Sequence, residues 1–398
     1  MMHKRYLLWL LLFCCCTLLP ATALNLLLLK NEGDIASVSY AASDWQHQTH
    51  GITYSPMLGH NALFKTLRLN DRLAETDAVI FGSSTGMSID STMMPLGWHL
   101  YNFTQSGSPL SASIAQAEYL VNHAPQITHF IISLDWSLNL INQSAITTPA
   151  DLSLPKRNST VLQQNSLTTI AMLKDAVSYP RMAKLWQALV LVALSPQPLA
   201  SFHEYFLQVG SNEYICPDGT TTGRDFGINN RRVCDGFRYD GSATYAGLKR
   251  VDDQNRLIIS ALSFGSKYAQ SLLHTKGILE ERLFDRLSEL NKAIARKGGV
   301  LILYMPPLVP GLESALLKHP QLSAYLLRTK QELAKWAQDK PVVLADFGQS
   351  EKFGCVTSEF LDEHHADGNC YRKIFSDFWQ NGGIQKKLAD SARANSGK

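Results

Sequence analysis

The sequence predicts an α/β protein in which a parallel sheet carries helices on both faces and is interrupted by a large central insertion. Short apolar runs end abruptly in glycine or polar residues, which is the pattern of buried parallel strands. Amphipathic helices alternate with these runs, as they do where crossover helices join parallel strands. The alternation stops over residues 137–275 and then resumes. The sheet is therefore expected to form from two separate parts of the chain.

Residues 1–29 have the layout of an export signal. Lys4 and Arg5 precede an apolar run of 23 residues, Leu7 to Leu29, that contains no charged side chain. A cleavable signal has an apolar region of about 7 to 15 residues and a spanning helix needs about 20, so the length favours an uncleaved anchor. The small residues Ala21 and Ala23 resemble a signal-peptidase site and favour cleavage instead. With either outcome, the basic start stays in the cytoplasm and the body faces outward.

Residues 30–75 are mixed and polar, which predicts a stalk leading into a first helix that ends near Asn70. Residues 76–140 are assigned to the first half of the sheet domain. Their apolar runs predict three strands and one amphipathic helix. The strands are expected at Ala78–Phe81, His99–Phe103 and Phe130–Leu134, and the helix at Ser111–Asn122.

The second half of the sheet domain is assigned to residues 278–385. From Leu279 to Ile294, apolar residues recur at steps of three and four, which predicts an amphipathic helix that Gly298 and Gly299 terminate. Two strands and a further helix follow, at Val300–Tyr304, Val342–Ala345 and Leu322–Ala337. Residues 386–398 are a polar C-terminal tail.

Residues 141–277 are interpreted as an insertion, or a cap over the sheet. The apolar segment Met182 to Leu194 is 13 residues long, too short to span a bilayer. A turn-rich tract follows in which basic and aromatic side chains alternate, which suits binding of a sugar or an anionic polymer but also describes an ordinary solvated surface. These side chains are Arg224, Arg231, Arg232, Arg238, Tyr214, Phe226 and Tyr239.

Four cysteines lie outside the N-terminal apolar segment, in two local pairs within loop-rich stretches. Disulfides stabilise such loops in exported proteins, so we predict the pairs Cys216–Cys234 and Cys355–Cys370. The alternative is a zinc site, but neither pair has the close Cys-x2-Cys spacing that structural zinc sites usually show.

The charge balance argues against nucleic acid as a partner. The formal net charge of the chain is +3, and Lys4 and Arg5 supply two of these charges, so the body without residues 1–29 carries +1. A near-neutral body has no electrostatic basis for binding a polyanionic backbone.

Two short motifs are candidates for chemistry. Gly82, Ser83 and Ser84 follow the first predicted strand, where a serine hydroxyl would lie beside the backbone amides of a turn. Near the C-terminus, Asp362 precedes His365 by three residues, a spacing that lets a carboxylate orient an imidazole acting as general base. His364 is the rival for the second role. Serine, aspartate and histidine in this chain order are one known order for a catalytic triad.

With these motifs in place, the chain resembles the SGNH (GDSL-like) hydrolase superfamily. It is most similar to the membrane-anchored bacterial branch that has Gly-Ser-Ser in the first block and takes part in acylation of cell-surface polymers. The resemblance covers about residues 75–140 and 278–380. It implies a three-layer αβα, flavodoxin-like sheet and no metal or organic cofactor.

The resemblance also implies roles for particular residues. Ser84 would be the nucleophile and its amide an oxyanion donor, Gly107 would supply the second donor amide, and His365 and Asp362 would complete the triad. The third block of the family normally carries an asparagine donor, but here Asp135 follows Ser133 and Leu134, and the next asparagine is Asn139. A carboxylate cannot donate a hydrogen bond, so one usual donor is missing or comes from elsewhere.

The resemblance implies an acyl esterase or O-acyltransferase in the bacterial periplasm, anchored to the inner membrane by the N-terminal helix or released by cleavage. Its expected partner is a carbohydrate or cell-envelope polymer, alongside proteins of polysaccharide biosynthesis. The alternative is a non-catalytic, anchored binding or assembly protein on a degenerate SGNH scaffold. The substitution of Asp135 for the asparagine favours that alternative, because a fold alone does not establish activity.

Overall fold

The structure is a computed structural model that describes residues 16–26, 35–54, 61–135, 174, 176–202, 213–226, 234–245, 253–263 and 281–381. Two five-stranded sheets organise these residues. In chain order, the strands are β1 Ile52–Tyr54, β2 Ala78–Phe81, β3 Leu100–Asn102, β4 His129–Ser133, β5 Glu213–Ile215, β6 Thr222–Asp225, β7 Asp235–Phe237, β8 Ala243–Tyr245, β9 Val300–Met305 and β10 Val342–Asp346.

The main sheet has the strand order β10-β9-β4-β2-β3, and all of its neighbouring strands are parallel. Counted along this sheet, the order is that of flavodoxin-like doubly wound proteins. Strands β2, β4 and β9 are flanked on both sides and consist almost entirely of buried apolar residues, as expected for central parallel strands. The order reverses between β2 and β4, and ligands of such sheets bind at this point, beyond the carboxyl ends of the strands.

Helices pack against the main sheet and cover its core. In chain order, the helices are α1 16–26, α2 Ile35–Thr49, α3 Ala62–Arg72, α4 Leu110–His123, α5 Tyr179–Ala193, α6 Pro198–Phe202, α7 Gln254–Leu262, α8 Glu281–Arg296, α9 Leu312–Lys318, α10 Ser323–Ala337 and α11 Gly368–Asn381. Helices α4 and α8 contact each other and share one apolar cluster with the sheet, to which α9, α10 and α11 also contribute. The predicted α/β class with a parallel sheet is confirmed, and the layering is compatible with a three-layer fold.

The second sheet has the order β5-β6-β1-β7-β8 and is mostly antiparallel. Four of its strands come from the predicted insertion, and β1 comes from residues 30–75. This corrects the prediction of a stalk, because residues 35–54 form α2 and β1, and β1 pairs with both β6 and β7. Polar composition misled the prediction because the polar residues of α2 are partly internal: Gln46 is buried and its amide donates to the carbonyls of Gly51 and Phe237.

The second sheet joins the main sheet through backbone and side-chain hydrogen bonds. The Ala243 amide of β8 donates to Met87 O, a short way after Ser84, and the Asn102 amide of β3 donates to Asp240 O. Lys65 of α3 lies between the two sheets and donates to the carbonyls of Asn102 and Gly241. The insertion is therefore hydrogen-bonded to the part of the main sheet that carries the Gly82–Ser84 motif.

The predicted export segment lies partly outside the described residues; its described part, residues 16–26, forms α1. Helix α1 packs against α5 through Ala21 and Leu24, and the buried Asn25 amide donates to Ala176 O at 2.8 Å. Within the residues that the structure describes, no helix is both long enough and apolar enough to cross a bilayer.

Both predicted disulfides are confirmed. Cys216 bonds to Cys234 and Cys355 bonds to Cys370, with Cα–Cα distances of 5.7 and 5.0 Å. Two such bonds indicate an oxidising compartment outside the cytoplasm.

Candidate active site

The structure brings Ser84, His365 and Asp362 together in a hydrogen-bonded chain. Ser84 Oγ lies 2.8 Å from His365 Nε2, and His365 Nδ1 lies 2.7 Å from Asp362 Oδ2. A carboxylate only accepts, so Nδ1 carries the hydrogen that it donates to Asp362, and Nε2 is left to accept from the Ser84 hydroxyl. This arrangement of hydroxyl, imidazole and carboxylate can activate a serine for attack on a carbonyl group.

Ser84 occupies a tight turn immediately after β2. Gly82 has φ of +146°, and a Cβ on it would lie 2.5 Å from the Cβ of Ser133, so backbone conformation and close packing both require glycine there. The hydroxyl of Ser83 then accepts the amide of Thr85 as the N-cap of the 3₁₀ turn Ser84–Gly86. The turn points the Ser84 side chain out of the sheet edge, while Ser83 and Thr85 are buried.

A network of buried polar groups holds the turn of Ser84 in place. Ser83 Oγ donates to Asp135 Oδ2 at 2.8 Å, and the Tyr371 hydroxyl donates to Thr85 O at 2.8 Å. Asp135 is fully buried after β4, so it acts as a hydrogen-bond acceptor for the turn and not as a donor toward a substrate. Tyr371 was missed by the sequence analysis, because a tyrosine on an amphipathic helix such as α11 is indistinguishable from a core residue.

The loop that carries His365 is held by its own aspartate. Asp362 Oδ1 accepts the backbone amides of His364 and His365 at 3.0 and 2.9 Å, while Oδ2 holds the imidazole. The Val309 amide, after β9, donates to Glu363 O and ties this loop to the carboxyl edge of the sheet. The Asp-x-x-His spacing thus encodes both the turn and the orientation of the ring.

The electrostatics of this loop keep Asp362 ionised. Burial alone would raise the pKa of Asp362, but the hydrogen bond from His365 and the charges of the two histidines outweigh it and hold the pKa well below its ordinary value. For His364, burial alone would lower the pKa, but the hydrogen bond with Glu363 and the charges of Asp362 and Asp135 raise it. The His364 ring lies directly beside the histidine that faces Ser84, with the two ring centroids 4.1 Å apart.

Two backbone amides, with no hydrogen-bond acceptor among the described residues, lie in the turns that follow β2 and β3. The Gln105 amide donates to Gly82 O at 2.9 Å, so the loop that contains Gly107 is bonded to the turn of Ser84. Gly107 is exposed and has φ of +66°. Within the described part of the chain, the amides of Ser84 and Gly107 donate no hydrogen bond. Unused amides at the carboxyl edge of a sheet are suited to stabilising an oxyanion.

Two clusters have the donor types that a metal ion takes. One consists of Asp362, His364 and His365, which offer ligand atoms within 4.8 Å of one another. In the structure, however, the ring nitrogens of His365 face Asp362 and Ser84, which favours a hydrogen-bonded site. The other cluster includes Cys355 and Cys370, whose disulfide removes them as thiolate ligands.

The basic and aromatic tract of the insertion divides into separate environments. Arg224 lies over the ring of Phe226 and forms an ion pair with Glu213, on the second sheet. Arg238 and Tyr239 instead line a cavity between the sheets. Tyr214 accepts the Cys234 amide, and Arg231 and Arg232 lie outside the described residues.

Comparisons of the sequence with known proteins found no match, so the interpretation of this site rests on its geometry. No protein-family model matches the chain, and no curated protein matches its sequence.

Proposed function

We propose that this protein is a serine acyl esterase or O-acyltransferase with an SGNH-like scaffold. The observation that carries the proposal is the hydrogen-bonded chain from Ser84 through His365 to Asp362, at 2.8 and 2.7 Å. Its substrate is an ester on a carbohydrate or cell-envelope polymer, and its place is the bacterial periplasm. The two disulfides suit that compartment.

The geometry supports a two-step acyl transfer. Ser84 Oγ attacks the ester carbonyl as its proton moves to His365 Nε2, and Asp362 stabilises the imidazolium that forms. The amides of Ser84 and Gly107 bind the oxyanion. The departing alcohol takes the proton from His365, which leaves an acyl group on Ser84. Water or an acceptor hydroxyl then gives its proton to His365 and attacks the acyl group, restoring Ser84.

The chain departs from the family pattern at Asp135, where the family normally has an asparagine that donates to the oxyanion. In place of a third oxyanion donor, this position supplies an acceptor that holds Ser83 and so the turn of the nucleophile. Loss of one oxyanion donor typically costs about 100-fold to 1000-fold in rate. We therefore expect an enzyme that has a low turnover rate and whose nucleophile is held firmly in position.

We propose further that the N-terminal segment is retained and anchors the protein at the inner membrane. Supporting this, α1 contains Ala21 and Ala23, the residues that resemble a cleavage site, and is packed against α5. Large apolar side chains are exposed on and beside α5, including Tyr179, Trp186 and Leu194. A helix that exposes tryptophan, tyrosine and leucine next to an anchor suits the interfacial layer of a bilayer.

Labelling with a fluorophosphonate probe tests the enzymatic proposal. The wild-type protein should be modified at Ser84, identified by peptide mass spectrometry, and Ser84→Ala should not be labelled. Ser83→Ala is the matched control, because its hydroxyl is buried against Asp135 and does not face His365. This variant should still be labelled, more slowly.

The alternative of a non-catalytic binding or assembly protein predicts different results. Folded wild type would remain unlabelled, and neither acetylated sugars nor nitrophenyl acetate would be turned over. Labelling of Ser84→Ala as strong as that of wild type would show that the probe reacts at another residue, and it would contradict the role of Ser84 as nucleophile. Asp135 in place of asparagine is the feature that favours this alternative.

A further inference from the structure

A cavity of about 680 Å³ lies between the second sheet and the main sheet domain. Its lining includes Asp90 to Thr92 after the Ser84 turn, Arg372 on α11, Arg72 at the end of α3, and residues of the second sheet and its loops. The segment of Ser84 continues into the first of these, and the helix that follows His365 supplies the second. A volume of this size is ordinary for a binding site that encloses a small ligand.

Aromatic and cationic groups form one side of the cavity. The rings of His50 and Tyr239 stack with centroids 3.9 Å apart, and the Arg72 guanidinium lies 4.5 Å from the Tyr239 ring. Arg72 Nη1 donates to Tyr239 O, whereas its Nε has no partner among the described residues. His50 adopts φ of +56°, a conformation that residues other than glycine rarely take. Local strain of this kind often accompanies binding sites.

Carboxylates and a further guanidinium also line the cavity. Asp240 accepts the Ser91 amide at 2.7 Å and the Ser242 amide at 3.0 Å, so its position is fixed by the backbone. Asp90 caps the next turn and forms an ion pair with Arg372 at 3.3 Å. The Arg372 side chain is 53% exposed, and its terminal nitrogens donate to Asn369 Oδ1 and Asp90 Oδ2.

This lining matches the chemistry of a sugar ring. Vicinal hydroxyl groups both donate and accept, so they pair with rigid carboxylates and with guanidinium forks, while the apolar face of a pyranose packs on flat rings. A purely anionic ligand would meet three aspartates here, and a purely apolar one would use none of the polar groups of the lining.

We propose that this cavity binds sugar units of the glycan whose ester is processed at Ser84, an inference that rests on the proposed function for the identity of the bound polymer. The cavity positions the polymer, and the triad acts on a nearby acyl group. Arg72, Arg372, Tyr239 and His50 are the residues that hold the sugar. Glycans that contain uronate and neutral glycans both carry the hydroxyl groups that this lining recognises. Titration with one oligosaccharide of each kind distinguishes the two classes.

Calorimetric titration of the full chain in detergent with two hexasaccharides, one of galacturonate and one of glucose, tests the cavity. Wild type should bind at least one of them. Arg372→Ala and His50→Gly should each weaken that binding at least tenfold, because each removes a direct contact worth about 1.4 kcal/mol or more. Glycine accepts the positive φ at position 50, so this variant should remain folded. Arg328→Ala, on the exposed face of α10, is the matched control and should bind normally.

The outcomes separate this inference from the proposed function. Binding of galacturonate alone identifies an anionic glycan, and equal binding of both hexamers identifies a neutral recognition mode. No binding by wild type, or binding that neither variant weakens, overturns the cavity proposal even when Ser84 is labelled by fluorophosphonate. If Ser84 is not labelled but sugar binding is intact, the enzymatic proposal is overturned and the cavity proposal stands.

Discussion

His364 and His365 are neighbours in the chain but differ in what they face. The ring of His365 connects Asp362 to Ser84, whereas His364 lies beside Glu363 and Asp135, with its ring centroid 4.1 Å from that of His365. Spacing from the aspartate had favoured His365. The positions of the two rings now give a geometric reason for the same choice.

Replacement of each histidine by glutamine should therefore have unequal effects. His365→Gln removes the general base and should lower kcat/KM for nitrophenyl acetate by about 100-fold to 10,000-fold. His364→Gln leaves the triad atoms in place and should cause a clearly smaller loss. Steady-state kinetics of both folded variants check this, and equal losses would contradict the assignment.

Lys65 is a fully buried cation whose ammonium group contacts two carbonyl oxygens and lies 4.7 Å from the Phe237 ring centroid. Burial lowers the pKa of Lys65 from 10.5 to about 7, although the charge of Asp240 opposes this shift. Between about pH 7 and pH 10.5, Lys65 therefore keeps its proton in the unfolded chain and loses it in the folded chain. Stability is expected to rise with pH, because the cost of burying the charge disappears as the amine becomes neutral.

The free energy of unfolding should consequently increase between about pH 7 and about pH 9. Above that range, buried tyrosines oppose the trend: burial raises the pKa of Tyr101 and Tyr304, so deprotonation favours the unfolded chain. Urea denaturation across the range measures the slope. Lys65→Met should flatten it while lowering stability overall, and an unchanged slope in this variant would assign the pH dependence to another group.

At the scale of elements, the Cys355–Cys370 bond closes the loop that carries Asp362 and His365. Its closure spans a sequence separation of 15, for which the chain-entropy model predicts a stabilisation of about 3 kcal/mol. The bond connects the segment after β10 to the start of α11, and α11 in turn packs on the nucleophile turn through Tyr371. It thus restricts the loop that must keep the imidazole within reach of Ser84.

Replacement of Cys355 and Cys370 by serine should reduce turnover of nitrophenyl acetate before the sheet unfolds. Circular dichroism should show native secondary structure at temperatures where activity has already fallen. The matched control replaces Cys216 and Cys234, whose bond lies in the second sheet, and should retain turnover of this small ester. Full activity in the first variant would show that the disulfide is not needed for pre-organisation.

At the scale of the whole molecule, the N-terminal segment is part of the packed structure through α1 and α5. Ala21 of α1 packs against α5, and Asn25 contributes a buried hydrogen bond to Ala176 O. Exposed apolar side chains on α5 lie beside this contact. Helix α1 and the exposed apolar side chains of α5 together form one apolar surface at the end of the anchor.

The expressed protein should therefore sediment with membranes, resist extraction by high salt and be released by detergent. Intact-mass spectrometry should find the N-terminal segment still attached. As a control, a chain beginning after residue 34 should lose membrane association. Recovery of a soluble protein that starts at Leu24 would support cleavage after Ala23 and contradict the anchor.

Much of the main sheet was predictable because its signals are local. Apolar runs such as Ala78–Phe81 and Val300–Tyr304 are short enough to be strands only, and all five predicted strands are present within one or two residues. The second sheet was not predictable. Its strands are only three or four residues long, and β1 pairs with β6 about 170 residues away, as in Ile52 with Gly223.

The elements of the main sheet, the two cysteine pairs and the two short motifs could be predicted from the sequence, since each depends on residues near one another in the chain. Three features emerge only in the folded chain: Ser84 meets His365 across a separation of 281 residues, Asp135 holds Ser83, and a cavity forms between the second sheet and the main sheet domain. These contacts depend on strand order and on packing of distant segments. Hydrophobic periodicity specifies which face of an element is buried, but it does not specify which distant residue will face it.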